Sequence, residues 1–321
     1  MKARDLGALF ALAALWGGAF LFIRIAAPAV GPVPLAEARV ALAGAALLVY
    51  AVALRADLGL RRRWKSYLIM GALQAAIPYS LISTAELHLS AGLAAILNAT
   101  TPLFGALVAA VWMRERLTVA KGVGLVLGLL GVVVVTGWSA LPWTLTTALA
   151  IGASLLAAFS YGIAGNFARR ALAGVPPLAS STGQQLGAAV LLLPFAAPIA
   201  ATTAPWAHLS PLVAWAIVAL AIGCTSIAFL FYFYLITSVG AVSTLSVTFL
   251  SPVFALFWAA LFLSERITLG MFSGMVIIFA GVLLVMGMRL PRRARVIVMS
   301  GAASERGEER GEERAEEMEG V

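Results

Sequence analysis

Cysteine occurs once in 321 residues and histidine twice. Lysine occurs three times, and only six acids precede the last 22 residues. Each scarcity removes a class of chemistry. Cys224 stands alone in an apolar run, which excludes an intramolecular disulfide and a thiolate metal site. His88 and His208 fall in expected loops, and no His-Glu-x-x-His pair occurs. Lys2, Lys65 and Lys121 sit at the ends of apolar runs, so none is placed to form a buried Schiff base. Neither Gly-x-Ser-x-Gly nor a Gly-x-x-x-x-Gly-Lys phosphate loop is present. Catalysis needs paired acids, a histidine cluster or an activated nucleophile, and none is recognisable. The expectation is a non-enzyme with no metal and no cofactor, and any ATP-driven work would need a separate subunit.

What is present is apolar. Hydrophobic residues make up 62% of the chain and charged residues 11%, with a mean hydropathy of +1.00. Such a composition belongs to a chain whose solvent is lipid. In hydrocarbon each backbone donor and acceptor must be satisfied within its own segment, and the runs are too long for barrel strands. The fold class expected is an all-α integral membrane protein. Ten spans are placed at about 6–25, 34–54, 67–86, 91–112, 119–137, 147–168, 178–199, 212–236, 241–263 and 269–288. The first resembles a signal peptide in its Lys2 and Arg4 flank, but it is read as a retained helix because of the repeat described below.

The net charge of +8 hides two populations. Ser300–Val321 holds eight of the 14 acids, in a low-complexity Arg-Gly-Glu-Glu run that cannot bury a core. The bases are dispersed in short loops, which argues against a nucleic-acid partner and for membrane topology. With a cytoplasmic N-terminus and ten crossings, Arg55, Arg61, Arg62, Arg63, Lys65, Arg114, Arg116, Lys121, Arg169, Arg170 and the Arg289–Arg295 cluster all fall inside. Only Arg24 and Arg266 fall outside, as the positive-inside rule requires. Both termini are expected in the cytoplasm. The Ala-rich, Arg-over-Lys composition suggests the inner membrane of a bacterium.

The chain also contains its own second copy. Ala91–Gly137 aligns without a gap on Ala241–Gly287 at an offset of 150. Pro102 meets Pro252, Glu115-Arg116 meets Glu265-Arg266, Thr118 meets Thr268, and three glycines fall in step. Trp16-Gly17 and Arg24 recur as Tyr161-Gly162 and Arg169 at an offset of 145. The expected organisation is a first repeat over 1–140, a second over 141–288 and a tail over 289–321. Five crossings per repeat make the copies enter the bilayer from opposite sides, so the halves are inverted, an architecture typical of secondary transporters.

Polar, aromatic and helix-breaking residues at membrane depth each need a reason. Arg39 is the sharpest, either paired with Glu37 or free to meet an anionic group. Pro102 and Pro252 interrupt the fourth and ninth spans at matching positions, and Pro78 the third. Nearby Asn98, Thr100, Thr101, Thr248 and Ser251 can face a cavity or a freed carbonyl. Tyr79, Tyr161, Phe229, Tyr232 and Phe233, with Trp16 and Phe20, form either a packing stripe or an aromatic cavity wall. Gly124-x-x-x-Gly128, Gly183-x-x-x-Gly187 and Gly270-x-x-x-Gly274 mark close helix contacts, internal or across a homodimer.

On these residues the chain resembles the drug/metabolite transporter superfamily, specifically its EamA-type exporters with two domains. The likeness is carried by Trp16-Gly17 with Phe20, by Arg39, and by Ala91 through Pro102 to Glu115-Arg116-Leu117-Thr118 and Gly124. Its second copy runs from Gly240-Ala241 through Pro252 to Glu265-Arg266-Ile267-Thr268 and Gly274. The resemblance implies a central cavity surrounded by helices 1–4 and 6–9, with helices 5 and 10 peripheral. It also implies export of amino acids, other metabolites or drugs. Arg114-Glu115-Arg116 departs from the family, where a small residue more often precedes the glutamate.

The function expected of this lipid-bilayer protein is therefore secondary export of small organic metabolites, amino acids or amphipathic compounds, by alternating access. A nucleotide-sugar or sugar-phosphate exchanger is the alternative cargo, and a membrane scaffold the alternative class. Glu37 and Glu86 are the carboxylates associated with spans through which proton coupling can run.

Overall fold

A computed structural model describes residues 2–138, 142–203, 206 and 209–287. His208, the Arg289–Arg295 cluster, the acidic repeat and the boundary expected at 140/141 lie outside the described residues. Among the described residues every regular element is helical. The spans are α1 (Ala3–Val30), α2 (Pro32–Ala53), α3 (Leu60–Ala85), α4 (Ala91–Trp112) and α5 (Val119–Gly137). The second set is α6 (Leu145–Ala171), α7 (Pro177–Thr203), α8 (Pro211–Gly240), α9 (Val247–Leu263) and α10 (Leu269–Met286). All but α9 reach 18 residues, the length needed to cross hydrocarbon with little tilt.

Local chemistry sets the ends. Ser90, Thr118, Thr144, Ser210 and Thr268 each accept a hydrogen bond from the amide three residues on, at 3.2–3.3 Å. Gly31 at φ +85° makes the whole α1–α2 connection. Several helices run past the hydropathy limits. Helix α3 starts at Leu60 rather than near 67, because Arg61-Arg62-Arg63 continues the helix, with Arg61 and Arg62 exposed and Arg63 half-buried. Helix α8 extends to Gly240, whose φ of +82° interrupts it. A short helical piece follows to Thr244, so α9 proper begins at Val247 rather than 241.

The prolines do not break the two copies at matching places. Helix α4 divides at Ala99–Thr100 into Ala91–Asn98 and Thr101–Trp112, with Pro102 in the first turn of the second piece. Pro252 instead lies inside a continuous α9, and the break comes before it, at Leu245–Ser246. What does match is a pair of wide π-helical segments, Ala72–Ala76 in α3 and Ala219–Ile227 in α8. At the 150-residue offset Ala72–Ala76 falls on 222–226, inside the longer segment.

Packing crosses between the repeats almost everywhere. Helix α1 lies on α8 and α9, α2 on α7 and α8, α3 on α6 and α7, and α4 on α6 and α9. Helices α5 and α10 pair with each other beside α4. That pair is carved by glycine: a Cβ on Gly124 would stand 2.6 Å from the Gly281 carbonyl, and one on Gly281 2.5 Å from that of Gly124. Gly131 and Gly274 approach each other in the same way, 2.9 Å each. Gly183 and Gly187 admit Tyr67 of α3, and Gly270 admits Trp138. All three Gly-x-x-x-Gly motifs thus serve contacts inside one chain.

Gly281→Ala should cost about 1–3 kcal/mol through overpacking, read as a lower melting temperature in detergent. Gly122→Ala, on the same α5 but with nothing within 4 Å of its Cβ, should leave the melt unchanged.

Candidate functional site

The site begins with a charge that hydrocarbon would reject. Arg39, on α2, is 6% exposed. Its Nε donates to Thr225 Oγ1 on α8 at 2.9 Å, and its guanidinium carbon lies 3.7 Å from the centre of the Tyr79 ring on α3. A desolvated guanidinium on an aromatic face is stabilised by about 2 kcal/mol. Among the described residues no carboxylate lies within ion-pair distance of Arg39. The Glu37–Arg39 pair is therefore not formed, and Glu37 Oε2 is itself buried without a hydrogen-bond partner.

The wide turns place these groups. In α8 the Thr225 hydroxyl donates to the Leu220 carbonyl at 2.9 Å and that of Ser226 to Ala221 at 3.2 Å, each five residues back. In α3 the widened turn leaves the Leu73 carbonyl to Ser160 Oγ of α6, at 2.8 Å. Hydroxyls thus repair the backbone where its own ladder is stretched. Tyr161, beside Ser160, packs both with the core around Phe20 and with that around Tyr79.

Toward the end of the bundle that carries Asp5 lies a second group. Trp16 meets Tyr232 at 5.6 Å, and Phe229 meets Tyr232 at 6.4 Å and Phe233 at 6.0 Å. The polar residues near the prolines divide. Thr101 Oγ1 donates to the Asn98 carbonyl, the one that Pro102 frees, at 2.8 Å, and Thr248 Oγ1 to Leu245 at 2.8 Å. Asn98 Oδ1 is buried without a hydrogen-bond partner among the described residues. Pro252 is buried, and Ser251 is half-buried, with its carbonyl against Gly17 of α1. The structure thus brings Arg39, Tyr79 and Tyr161 together, and groups Trp16 with Phe229, Tyr232 and Phe233. The hydroxyls of Thr101 and Thr248 are spent on their own helices.

The repeated Glu-Arg motif is a helix hairpin with an acid at its turn. Arg114 and Ser264 both stop their helices at φ +54°, and the next amide bonds back at 3.2 Å, Glu115 to Ala109 and Glu265 to Ala259. Thr118 and Thr268 then cap the following helices. Within this shared frame the two glutamates act differently. Glu265 accepts from the Ala91 and Gly92 amides at 2.9 and 3.2 Å, tying the second repeat to the start of α4. Glu115 pairs instead with Lys121 at 3.5 Å and Arg169 at 3.2 Å. One end of the bundle is latched onto a helix terminus and the other is not.

The family model described as the EamA-like transporter family matches twice, over residues 5–137 and 148–287. The chain belongs to that family. The uncharacterized transporter YoaV of Bacillus subtilis is 23% identical over 270 residues, covering 84% of this chain and 91% of its own. A probable terminal-alkyne amino-acid exporter of Streptantibioticus cattleyicolor is 35% identical over 124 residues, 37% of this chain and 40% of that one. A solved crystal structure that is 21% identical matches with a TM-score of 0.61 over 88% of this chain and 96% of that one, a likeness of fold. The protein is a multi-pass membrane transporter.

Sequence reasoning did not single out Thr225, Ser226 or Ser160. A hydroxyl pair following Gly223-Cys224 in an apolar run was the available signal, but a wide turn leaves no periodicity of its own. Nor did it assign Glu265 to Ala91–Gly92, since that contact depends on how the repeats meet.

Glu265→Ala should release the start of α4. Hydrogen–deuterium exchange at the Ala91 and Gly92 amides should rise by about tenfold or more, as expected for losing a charged acceptor, while Glu115→Ala leaves those amides protected.

Proposed function

We propose that this transporter is a secondary exporter of small organic metabolites in the cytoplasmic membrane, with amino acids the class its site favours. Its termini lie on the cytoplasmic side, and the two inverted halves give alternating access. The observation that carries this reading is Arg39, a fixed positive charge held by Thr225 and Tyr79 and unpaired with any carboxylate among the described residues. A buried guanidinium with no acid of its own suits a substrate carboxylate. The nearby aromatic residues Tyr161 and Phe20 suit an organic side chain. The relative named as a probable amino-acid exporter supports the same class.

The positive-inside distribution puts the Glu115–Arg169 end in the cytoplasm and the Glu265–Ala91 end outside. In this reading the Glu265 contact with Ala91 and Gly92 holds the external end shut. Nucleotide-sugar or sugar-phosphate cargo fits less well, because a phosphate calls for several bases; of the two others expected at this end, Arg24 is engaged with the Glu86 carbonyl and Arg266 is exposed.

Counterflow in proteoliposomes loaded with a metabolite mixture, scored by mass spectrometry, tests the reading. Native protein should exchange amino acids. Arg39→Gln should weaken exchange of carboxylate-bearing compounds by about ten- to a hundredfold, the worth of one charged hydrogen bond, while sparing amines and esters. Exchange of no compound in either orientation overturns it.

A further inference from the structure

Glu86 has no part in the reading above, yet it is the most deeply buried acid among the described residues. It follows α3 at the first position of the connection to α4, and none of its surface is exposed. Its backbone is satisfied: the amide donates to Ile82 at 2.9 Å, and the carbonyl accepts from Arg24 Nη1 of α1. Its carboxyl is not. Both oxygens are buried without a hydrogen-bond partner among the described residues. The charged groups facing it are Glu265 from the α9–α10 connection, Arg24 from α1 and Arg39 from α2. Neither arginine makes an ion pair with it among the described residues, and Glu265 has both oxygens on the Ala91 and Gly92 amides. His88, two residues on, is exposed.

An ionised carboxylate in such a place would lack both water and donors, so the buried form is the neutral acid. Burial, reinforced by the Glu265 carboxylate, raises the Glu86 carboxyl well above the usual carboxylate range, against the opposing pull of Arg24 and Arg39. Opening the latched end reverses the balance. Once Glu265 leaves Ala91–Gly92, water reaches Glu86 and the Arg24 guanidinium is beside it to meet the anion.

We propose that Glu86 is a proton-binding site linked to the Glu265 latch: the end closes over the neutral acid and opens as the carboxyl gives its proton to water. The step is Glu86 carboxylic acid to carboxylate plus one proton, and no other reactant takes part. It rests on the transporter reading for its place in a cycle, but the linkage is a property of the folded chain. The linkage has a definite sign. A group with a raised pKa in the closed form stabilises closure below that pKa and loses this stabilisation as pH rises.

Hydrogen–deuterium exchange at Ala91 and Gly92, corrected for the chemical exchange rate and followed across pH in detergent, reads the latch directly. In native protein protection should fall with rising pH, approaching about tenfold per pH unit, the limit for one linked proton. Glu86→Gln, a neutral mimic, should keep those amides protected and make protection independent of rising pH. Glu86→Asp, which still titrates, should retain a pH response at a shifted midpoint and guards against misfolding of the glutamine variant. Glu37→Gln should behave as native. A flat native profile, a pH response that survives in Glu86→Gln, or one lost in Glu37→Gln overturns the proposal. Counterflow with the same proteins separates the two readings: if no compound exchanges, the exporter assignment fails while the protection profiles still decide Glu86.

Discussion

A carbonyl freed inside hydrocarbon has no water to turn to, and this constraint organises the centre of the molecule. Proline at 102 frees the Asn98 carbonyl, and Thr101 takes it. The wide turn in α8 displaces the Leu220 and Ala221 carbonyls, and Thr225 and Ser226 take those. In α3 the repair comes from another helix, through Ser160. Each repair leaves a hydroxyl oriented in a place where the lipid-facing surface would allow none. Thr225 has an accepting lone pair left, and Arg39 uses it. The charge at the centre therefore rests on a backbone irregularity.

The two repeats share this irregularity but not its use. Both carry a π-helical segment at the same position, and both end a helix in a left-handed residue followed by glutamate. In the first copy the wide turn lies beneath Tyr79, and in the second it carries Thr225. Glu265 is docked on a helix start while Glu115 is paired with Lys121 and Arg169. Symmetry of sequence is thus accompanied by asymmetry of contacts between the two copies.

Much of this was legible beforehand. Hydropathy placed ten spans, and the 150-residue offset placed the copies, because long apolar runs and aligned Pro, Glu-Arg and Gly are one-dimensional signals. Arg39 stood out because a base at membrane depth is expensive, and Tyr79 and Tyr161 were named with it. Thr225 was not, since hydroxyls are common in membrane helices and a π turn has no composition. Pro102 and Pro252 suggested matched breaks, but proline fixes only where a carbonyl is freed, and packing decides whether the helix opens there. The Glu37–Arg39 pair was plausible from spacing, but residues two apart on a helix point to different faces.

The glycine seam between α5 and α10 has a consequence for how the chain assembles. Helix α5 leaves the ribosome long before its partner, since α10 begins roughly 130 residues later, and contacts so distant in sequence form slowly. Until then Gly124 and Gly131 have no partner to fill them, whereas Gly128 already has Leu103 of α4 against it. The first half can insert early, but its fifth helix acquires its partner only after α10 has been made. Helix α10 acts as a keystone, and any nascent chain stalled before Leu269 lacks the partner of its α5 seam.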